Sequence, residues 1–240
     1  VLLITAFVLG FDKVKEFRLT NLAAKTKFSV VIPFRNEAEN IPILLESISA
    51  LKYPRDLFEI ILIDDDSQDD SLQLIQSIGS KKSFKGLKLS AIKTNRYSNS
   101  PKKDALTTGI NVALNEWIIT TDADCILSPY WLDSFDEFIQ LNPSKGIAGP
   151  VAYLESPSWI GKFQTLDFLS LQGATIGGFG LSKPFLCNGA NFAYKKEAFN
   201  HIDGFNGNTD IASGDDIFLL EKINKTFPSL PDQKENSGTH

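Results

Sequence analysis

Apolar positions along this chain alternate between two spacings in a regular succession. Residues 28–34, FSVVIPF, form a short β-branched run of the kind a buried strand carries. In residues 37–51, EAENIPILLESISAL, the apolar positions Ile41, Leu44, Leu45 and Ile48 recur three to four apart, which predicts a helix with Asn36 as its cap. The pattern repeats: a strand over 58–67 (FEIILIDDDS), a helix over 69–79 closed by Gly79, a strand over 87–94, a helix over 103–114, and a strand over EWIITTDADC, 116–125. Strands alternating with helices at this spacing predict βαβ units and a mostly parallel, Rossmann-like sheet flanked by helices, an α/β fold. No internal repeat or low-complexity segment interrupts it.

The two ends read differently. VLLITAFVLGF, 1–11, has no charge and is too short to cross a bilayer, which takes about 20 residues. Lys13, Lys15 and Arg18 follow at once, so the expectation is the trailing half of a membrane helix with a cytoplasmic basic flank; a core strand or helix is the alternative. SLPDQKENSGTH, 229–240, is polar, without period, and reads as a disordered tail.

Composition narrows the function. The chain has 240 residues, 42% hydrophobic and 22% charged, as in an ordinary globular protein with a sizeable core. A net charge of −5 argues against non-specific nucleic-acid binding, which needs a basic face. Cys125 and Cys187 make no disulfide or metal pattern, which fits a reducing compartment.

Candidate chemistry gathers at the strand ends. One strand ends in Asp64, Asp65 and Asp66, another in Asp122 and Asp124. Ligands of open parallel sheets bind outside the carboxyl ends of the strands. Either cluster alone also suits a capped or solvated turn. Together they would crowd negative charge into one crevice, which a hard divalent cation, Mg²⁺ or Mn²⁺, relieves while keeping positions for phosphate oxygens.

Six segments in order then carry a resemblance, from about Phe28 to Phe227. They are VVIPFRNE (30–37), IDDDSQDDS (63–71), PKKDALTTGI (101–110), DAD (122–124), CNGANFAYKKEAFNHIDGF (187–205) and SGDDIFL (213–219). Together they are similar to the motifs of family 2 glycosyltransferases of the GT-A fold, in the manner of membrane-associated bacterial enzymes of the cellulose synthase and poly-N-acetylglucosamine synthase type. Two positions depart from the pattern: Asp66 stands where the family usually has Gly, and Asp215 where it has Glu. The resemblance implies an inverting enzyme that moves a sugar from a nucleotide-diphosphate donor, UDP-linked as first expectation, to the hydroxyl of a sugar or lipid-linked acceptor. The setting it implies is cell-envelope or extracellular polysaccharide or glycolipid synthesis at a membrane, with the domain on the cytoplasmic side.

By position, the resemblance gives the donor to Pro33, Asn36, Glu37, Asp64, Asp65, Lys102, Lys103 and Asp122. It gives the metal to Asp122 and Asp124, the acceptor side to Asn188, Gly189, Asn191 and Asp215, and the general base to Asp216. Each has a plainer reading: Pro33 and Asn36 as a strand-to-helix turn, Lys102 and Lys103 as a solvated helix start, Asp215 and Asp216 as acids favoured at a helix N-terminus. The expected division is 1–19 as membrane-helix end and basic flank, 20–228 as catalytic domain (20–125 nucleotide-sugar half, 126–228 acceptor half), and 229–240 as tail.

Between the halves, residues 159–173 place Phe163, Leu166, Leu169 and Leu171 near helical spacing, expected as a packed amphipathic helix or a helix lying near a membrane. GATIGGFG, 173–180, with four glycines in eight residues, is expected as a mobile loop. The Gln-x-x-Arg-Trp motif of processive members is absent from these 240 residues. The readings that compete are a nucleotidylyltransferase, which would carry a Gly-rich phosphate loop after the first strand, and a sugar-binding relic without catalysis. A receiver-type domain would be about half this length.

Overall fold

A computed structural model describes residues 1–154, 158–208 and 214–227. The expected tail over 229–240, and Ser213 of the SGDDIFL segment, lie outside the described residues. The sheet has six strands: β1 (Phe28–Phe34), β2 (Phe58–Asp64), β3 (Lys88–Lys93), β4 (Trp117–Thr120), β5 (Gly146–Ala148) and β6 (Phe192–Lys195). Their order is β3-β2-β1-β4-β6-β5. The first four run parallel; β6 pairs antiparallel with β4, and β5 antiparallel with β6.

Crossovers through helices α2 (Ile41–Ser49), α3 (Ser71–Gly79) and α4 (Pro101–Val112) build the parallel half. The order steps outward from β1 to β3 and then returns to β4, so the sheet reverses direction between β1 and β4. That is where a doubly wound sheet opens a crevice.

Alternation along the buried strands divides the core into two layers. Val30, Ile32, Ile60, Leu62 and Ile119 face the layer that holds α2 and α5 (Trp131–Leu141). Val31, Ile61, Ile63 and Ile118 face the layer that holds α4, α7 (Lys196–His201) and α8 (Asp215–Thr226). Gly109 lets α4 sit against the sheet: a Cβ there would lie 2.7 Å from Val31 and Ile63 side chains.

Three expectations change. The first helix starts at Ile41, not 37, because Asn36 adopts a left-handed backbone (φ 55°) and belongs to a loop. The strand before the acid pair stops at Thr120, and residues 121–125 form a turn in which Cys125 N–H donates to Asp122 O at 3.2 Å. The glycine-rich stretch 173–180 is helical, the second half of the 22-residue α6 (Trp159–Gly180).

The glycines of α6 serve close packing. Helix α1 (Leu2–Phe11) crosses α6 there with backbone against backbone. A Cβ on Gly177 would meet Phe7 O at 2.4 Å, and one on Gly10 would meet Gly177 O at 2.1 Å. Phe7 stacks on Phe185 beside this crossing, with ring centroids 5.3 Å apart. Neither core layer contains a residue of α1, so the alternative of a core element over 1–11 does not hold. Among the described residues no helix is long and apolar enough to cross a membrane.

Between α1 and β1 the chain is bound to α5 by two buried carboxylates. Glu137 accepts from the N–H of Thr20 and Leu22 and from the Thr20 hydroxyl. Asp136 accepts from the N–H of Lys25 and from both the N–H and the hydroxyl of Thr26. Phe17 packs edge-on against Phe138 of the same helix.

Candidate active site

The loops after β1 and β2 are laced together. Asn36 Oδ1 accepts from Gln68 N at 2.7 Å, Ser67 Oγ from Asn36 N at 3.0 Å, and Asp69 from Ala38 N at 2.9 Å. Glu37 donates its N–H to Ser71 Oγ and accepts from the Asn40 side-chain amide, while Pro33 lies half-buried in β1 in register with Ile63. Asn36 and Glu37 are thus engaged in holding the two loops together, and Pro33 in the sheet. Asp66 also takes a left-handed backbone (φ 63°), which explains why Gly suits that position and why Asp, tolerant of that region, can replace it.

Each acid cluster is met by a cation of the protein, Arg96 at the first and Lys102 at the second. Asp64 is buried and accepts from Ser67 N at 2.9 Å. Asp65 has the Arg96 guanidinium 2.6 Å from its Oδ1, and Arg35 at 4.0 Å from its Oδ2. The Arg96 approach lacks hydrogen-bond alignment, so Oδ1 is a buried acceptor without a donor. At the second cluster Lys102 Nζ donates to Asp122 Oδ1 at 2.8 Å. Burial works against the Lys102 charge, but Asp122, Asp215 and Asp216 together outweigh it and hold its pKa above the ordinary lysine value. Lys102 is therefore paired with Asp122 and feels the charges of Asp215 and Asp216 at the start of α8. Lys103 points elsewhere: its buried amine donates to Asn208 O at 2.7 Å on the loop before α8, and burial lowers its pKa.

One glycine joins the two sides of the crevice. Gly189 O accepts from the Thr120 hydroxyl at 2.6 Å, and Gly189 N–H donates to Asp216 Oδ2 at 2.9 Å. The end of β4 thus fixes where Asp216 stands relative to Asp122. Asp216 Oδ1 also accepts from Ile217 N at 2.8 Å, the usual reward for an acid in the first turn of a helix. Its neighbour Asp215 is buried, and desolvation raises its pKa, with Lys102 pulling the other way. Asn188 Oδ1 accepts from Ala190 N at 2.9 Å and closes the turn. Asn191 is spent on structure: its Oδ1 accepts from Trp131 Nε1 and its Nδ2 donates to Pro150 O, both at 2.8 Å.

A cavity of about 840 Å³ opens beside the turn. Asp122, Asp124, Asn188 and Asn191 line one side and α6 the other. Hard carboxylate oxygens at Asp122 and Asp124 suit Mg²⁺ or Mn²⁺, and the ammonium drawn onto Asp122 marks the spot as favourable to positive charge. Among the described residues no group of three or more His, Cys, Asp or Glu side chains is arranged to hold an ion, so ligand oxygens would have to complete any shell. Sequence reasoning missed Arg96, Thr120 and Trp131. Arg96 is one of many surface cations, and Thr120 and Trp131 act through contacts that only the fold creates.

The model of glycosyl transferase family 2 matches residues 29–203. The chain belongs to that family. Its fold is that of solved GT-A glycosyltransferases. The mannosyltransferase PcManGT from Pyrobaculum calidifontis, solved with GDP-Man and Mn²⁺, aligns with 94% of this chain and 61% of its own at a TM-score of 0.64 and 22% identity. A TarS fragment from S. aureus aligns with 82% of this chain and 55% of its own at 0.59 and 19% identity, and has also been solved with UDP. In sequence the chain is similar to poly-beta-1,6-N-acetyl-D-glucosamine synthases. It is 29% identical over 150 residues to that of Staphylococcus epidermidis and 32% over 142 residues to that of Staphylococcus aureus (strain COL), covering 60% and 58% of this chain. The chain spans about a third of the length of these curated relatives.

Proposed function

We propose that this family 2 domain transfers a sugar, with inversion, from a UDP-linked donor to an acceptor hydroxyl in the synthesis of an envelope or extracellular glycan. The observation that carries the reading is geometric: Lys102 sits on Asp122 at 2.8 Å, and Gly189 joins the end of β4 to Asp216, at the sheet's reversal point. The relatives' names and the neighbours solved with UDP or with GDP-Man and Mn²⁺ support it.

In this reading Asp64 and Asp65 receive the nucleoside, with Asp65 Oδ1 as an acceptor for a base or ribose donor once Arg96 yields. Asp122 and Asp124 hold the divalent cation, which supplies positive charge to the leaving diphosphate. Lys102, freed from Asp122, is placed to bind the same diphosphate oxygens. Asp216 takes the proton of the acceptor hydroxyl as it attacks the anomeric carbon, a role that contributes about 10² to 10⁴ in rate. A second reading gives that proton to Asp215, whose buried carboxyl already has a raised affinity for it. Asp216→Asn and Asp215→Asn separate the two: the base variant loses transfer by about that factor with UDP affinity near normal, and the other keeps transfer within tenfold.

We further place the protein at a membrane with this domain on the cytoplasmic side. The exposed apolar surface of α1 and the basic residues that follow it support this. Calorimetry of UDP with Mn²⁺ tests the donor site. Affinity should fall sharply with EDTA or in Asp124→Ala, and unchanged affinity in both would remove the metal role.

A further inference from the structure

Helix α6 presents two opposite sides to different surroundings. Ile160, Gly161, Gln164, Thr165 and Phe168, spaced as one helical face, line the cavity that also holds Asp122 and Asp124. Trp159, Phe163 and Leu166 lie on the reverse side and are exposed, Trp159 by 79%. The helix therefore separates an acid-lined cavity from solvent. The cavity mouth is apolar as well. Ile126, Tyr153, Leu154 and Ile160 line the cavity and are each more than half exposed, Leu154 by 73%. Tyr153 packs on Phe168 with ring centroids 4.6 Å apart, so the rim continues into the cavity wall. A free sugar offers hydroxyls to such a rim and gains little. A chain of methylenes leaving the cavity there would bury the exposed side chains at its own expense of water.

We infer that the acceptor is an amphiphile: a polar head carrying the reacting hydroxyl enters the cavity at Asn188 and Ala190, the neighbours of the Gly189 that binds Asp216, and an alkyl tail leaves across Ile126, Tyr153, Leu154 and Ile160. Charge agrees with a lipid source. Within residues 1–27 of a chain whose net charge is −5, Lys13, Lys15, Arg18, Lys25 and Lys27 outnumber Asp12 and Glu16, so a basic segment follows the exposed apolar α1 in the chain, a succession suited to anionic headgroups. The inference rests on the glycosyltransferase reading for the identity of the cavity, but its binding test does not need transfer.

The test uses n-alkyl β-maltosides of increasing tail length below their micelle concentrations, with free maltose as the tailless control. In a Trp159→Phe background, Trp117 is in the core and Trp131 touches the cavity, so a maltoside with a brominated tail should quench Trp131. Affinity should rise about fourfold per added methylene over the length the rim covers. Leu154→Asp and Ile160→Asp, at exposed positions that the fold tolerates, should erase that gain while leaving UDP affinity within twofold. Equal affinity for maltose and its alkyl derivatives overturns the inference. So does loss of tail binding in Phe163→Asp with the rim variants unaffected, because the tail would then lie on the outer face of α6. Tail-dependent binding without any UDP binding would sustain the amphiphile site and remove the donor reading instead. With short lipids, transfer to a simple lipid alcohol or to a lipid-linked sugar distinguishes the two sources of the same chemistry.

Discussion

Gly173 and Gly177 lie one turn apart on α6, and the same substitution at each should have opposite results. At Gly173 an added Cβ meets nothing within 4 Å, so Gly173→Ala gains only the helix preference of alanine, about 1 kcal/mol. For a domain of this size that raises Tm by roughly 2–4 °C. At Gly177 the Cβ would lie 2.4 Å from Phe7 O and 2.9 Å from Phe7 C and Cα, all backbone atoms that no rotamer change removes. Overpacking of this kind costs about 1–3 kcal/mol. Set against the same alanine gain of about 1 kcal/mol, Gly177→Ala should be neutral to about 2 kcal/mol destabilising. The clash exists only with α1 in place. In a chain lacking residues 1–11, Gly177→Ala should therefore stabilise as Gly173→Ala does. Thermal unfolding followed by circular dichroism, on both substitutions in both backgrounds, closes the cycle. If Gly177→Ala stabilises the full chain as much as Gly173→Ala, α1 does not pack on α6 and the explanation of the glycine-rich stretch is wrong. The deletion itself should change Tm little, since α1 adds nothing to either core layer.

Thr120→Val removes the hydroxyl that Gly189 O accepts and should cost about 1–2 kcal/mol. Because Gly189 also places Asp216, transfer should drop roughly ten- to hundredfold with UDP binding intact; a stability loss with normal turnover would show that the link serves folding alone. For Glu137, the N–H of Thr20 is the largest of several donors that hold its carboxyl pKa below the usual value, with burial opposing. A depressed carboxyl stabilises above its unfolded pKa of about 4.3 and loses that contribution as pH falls through the lower folded value. The Tm gap between wild type and Glu137→Gln should accordingly narrow between pH 6 and pH 3. Asp133 on the same helix, raised by burial and by the charges of Asp136 and Glu137, acts in the opposite sense and keeps the profile shallow.

The parallel half of the fold was legible because β1, β2 and β4 are buried on both faces and its helices carry one apolar stripe each. Helix α5 received no assignment, since its inward face includes Asp136 and Glu137 and breaks the apolar period. Strands β5 and β6, of three and four residues, are too short to show a period at all. Along α6 the glycines looked like freedom but provide contact, a distinction that depends on α1 lying across them. At the site, the acids after β2 and β4 stood out as clusters, whereas Arg96 and Thr120 had no local signal. The lysine pair was adjacent in sequence, and only the direction of α4 assigns Lys102 to the carboxylates and Lys103 to the loop before α8.

The attachment of residues 17–26 to α5 leaves no slack between α1 and the sheet. Successive backbone donors are taken by Glu137 and Asp136, Gln140 Nε2 donates to Ala23 O, and the Tyr53 hydroxyl donates to Thr26 O. A flexible tether of this length would let the domain tumble through a wide arc about α1. A fastened one turns the two into a single lever. Whatever fixes α1 in space also fixes the height and heading of the cavity mouth, so reach toward an acceptor is set by docking geometry and not by diffusion on a leash.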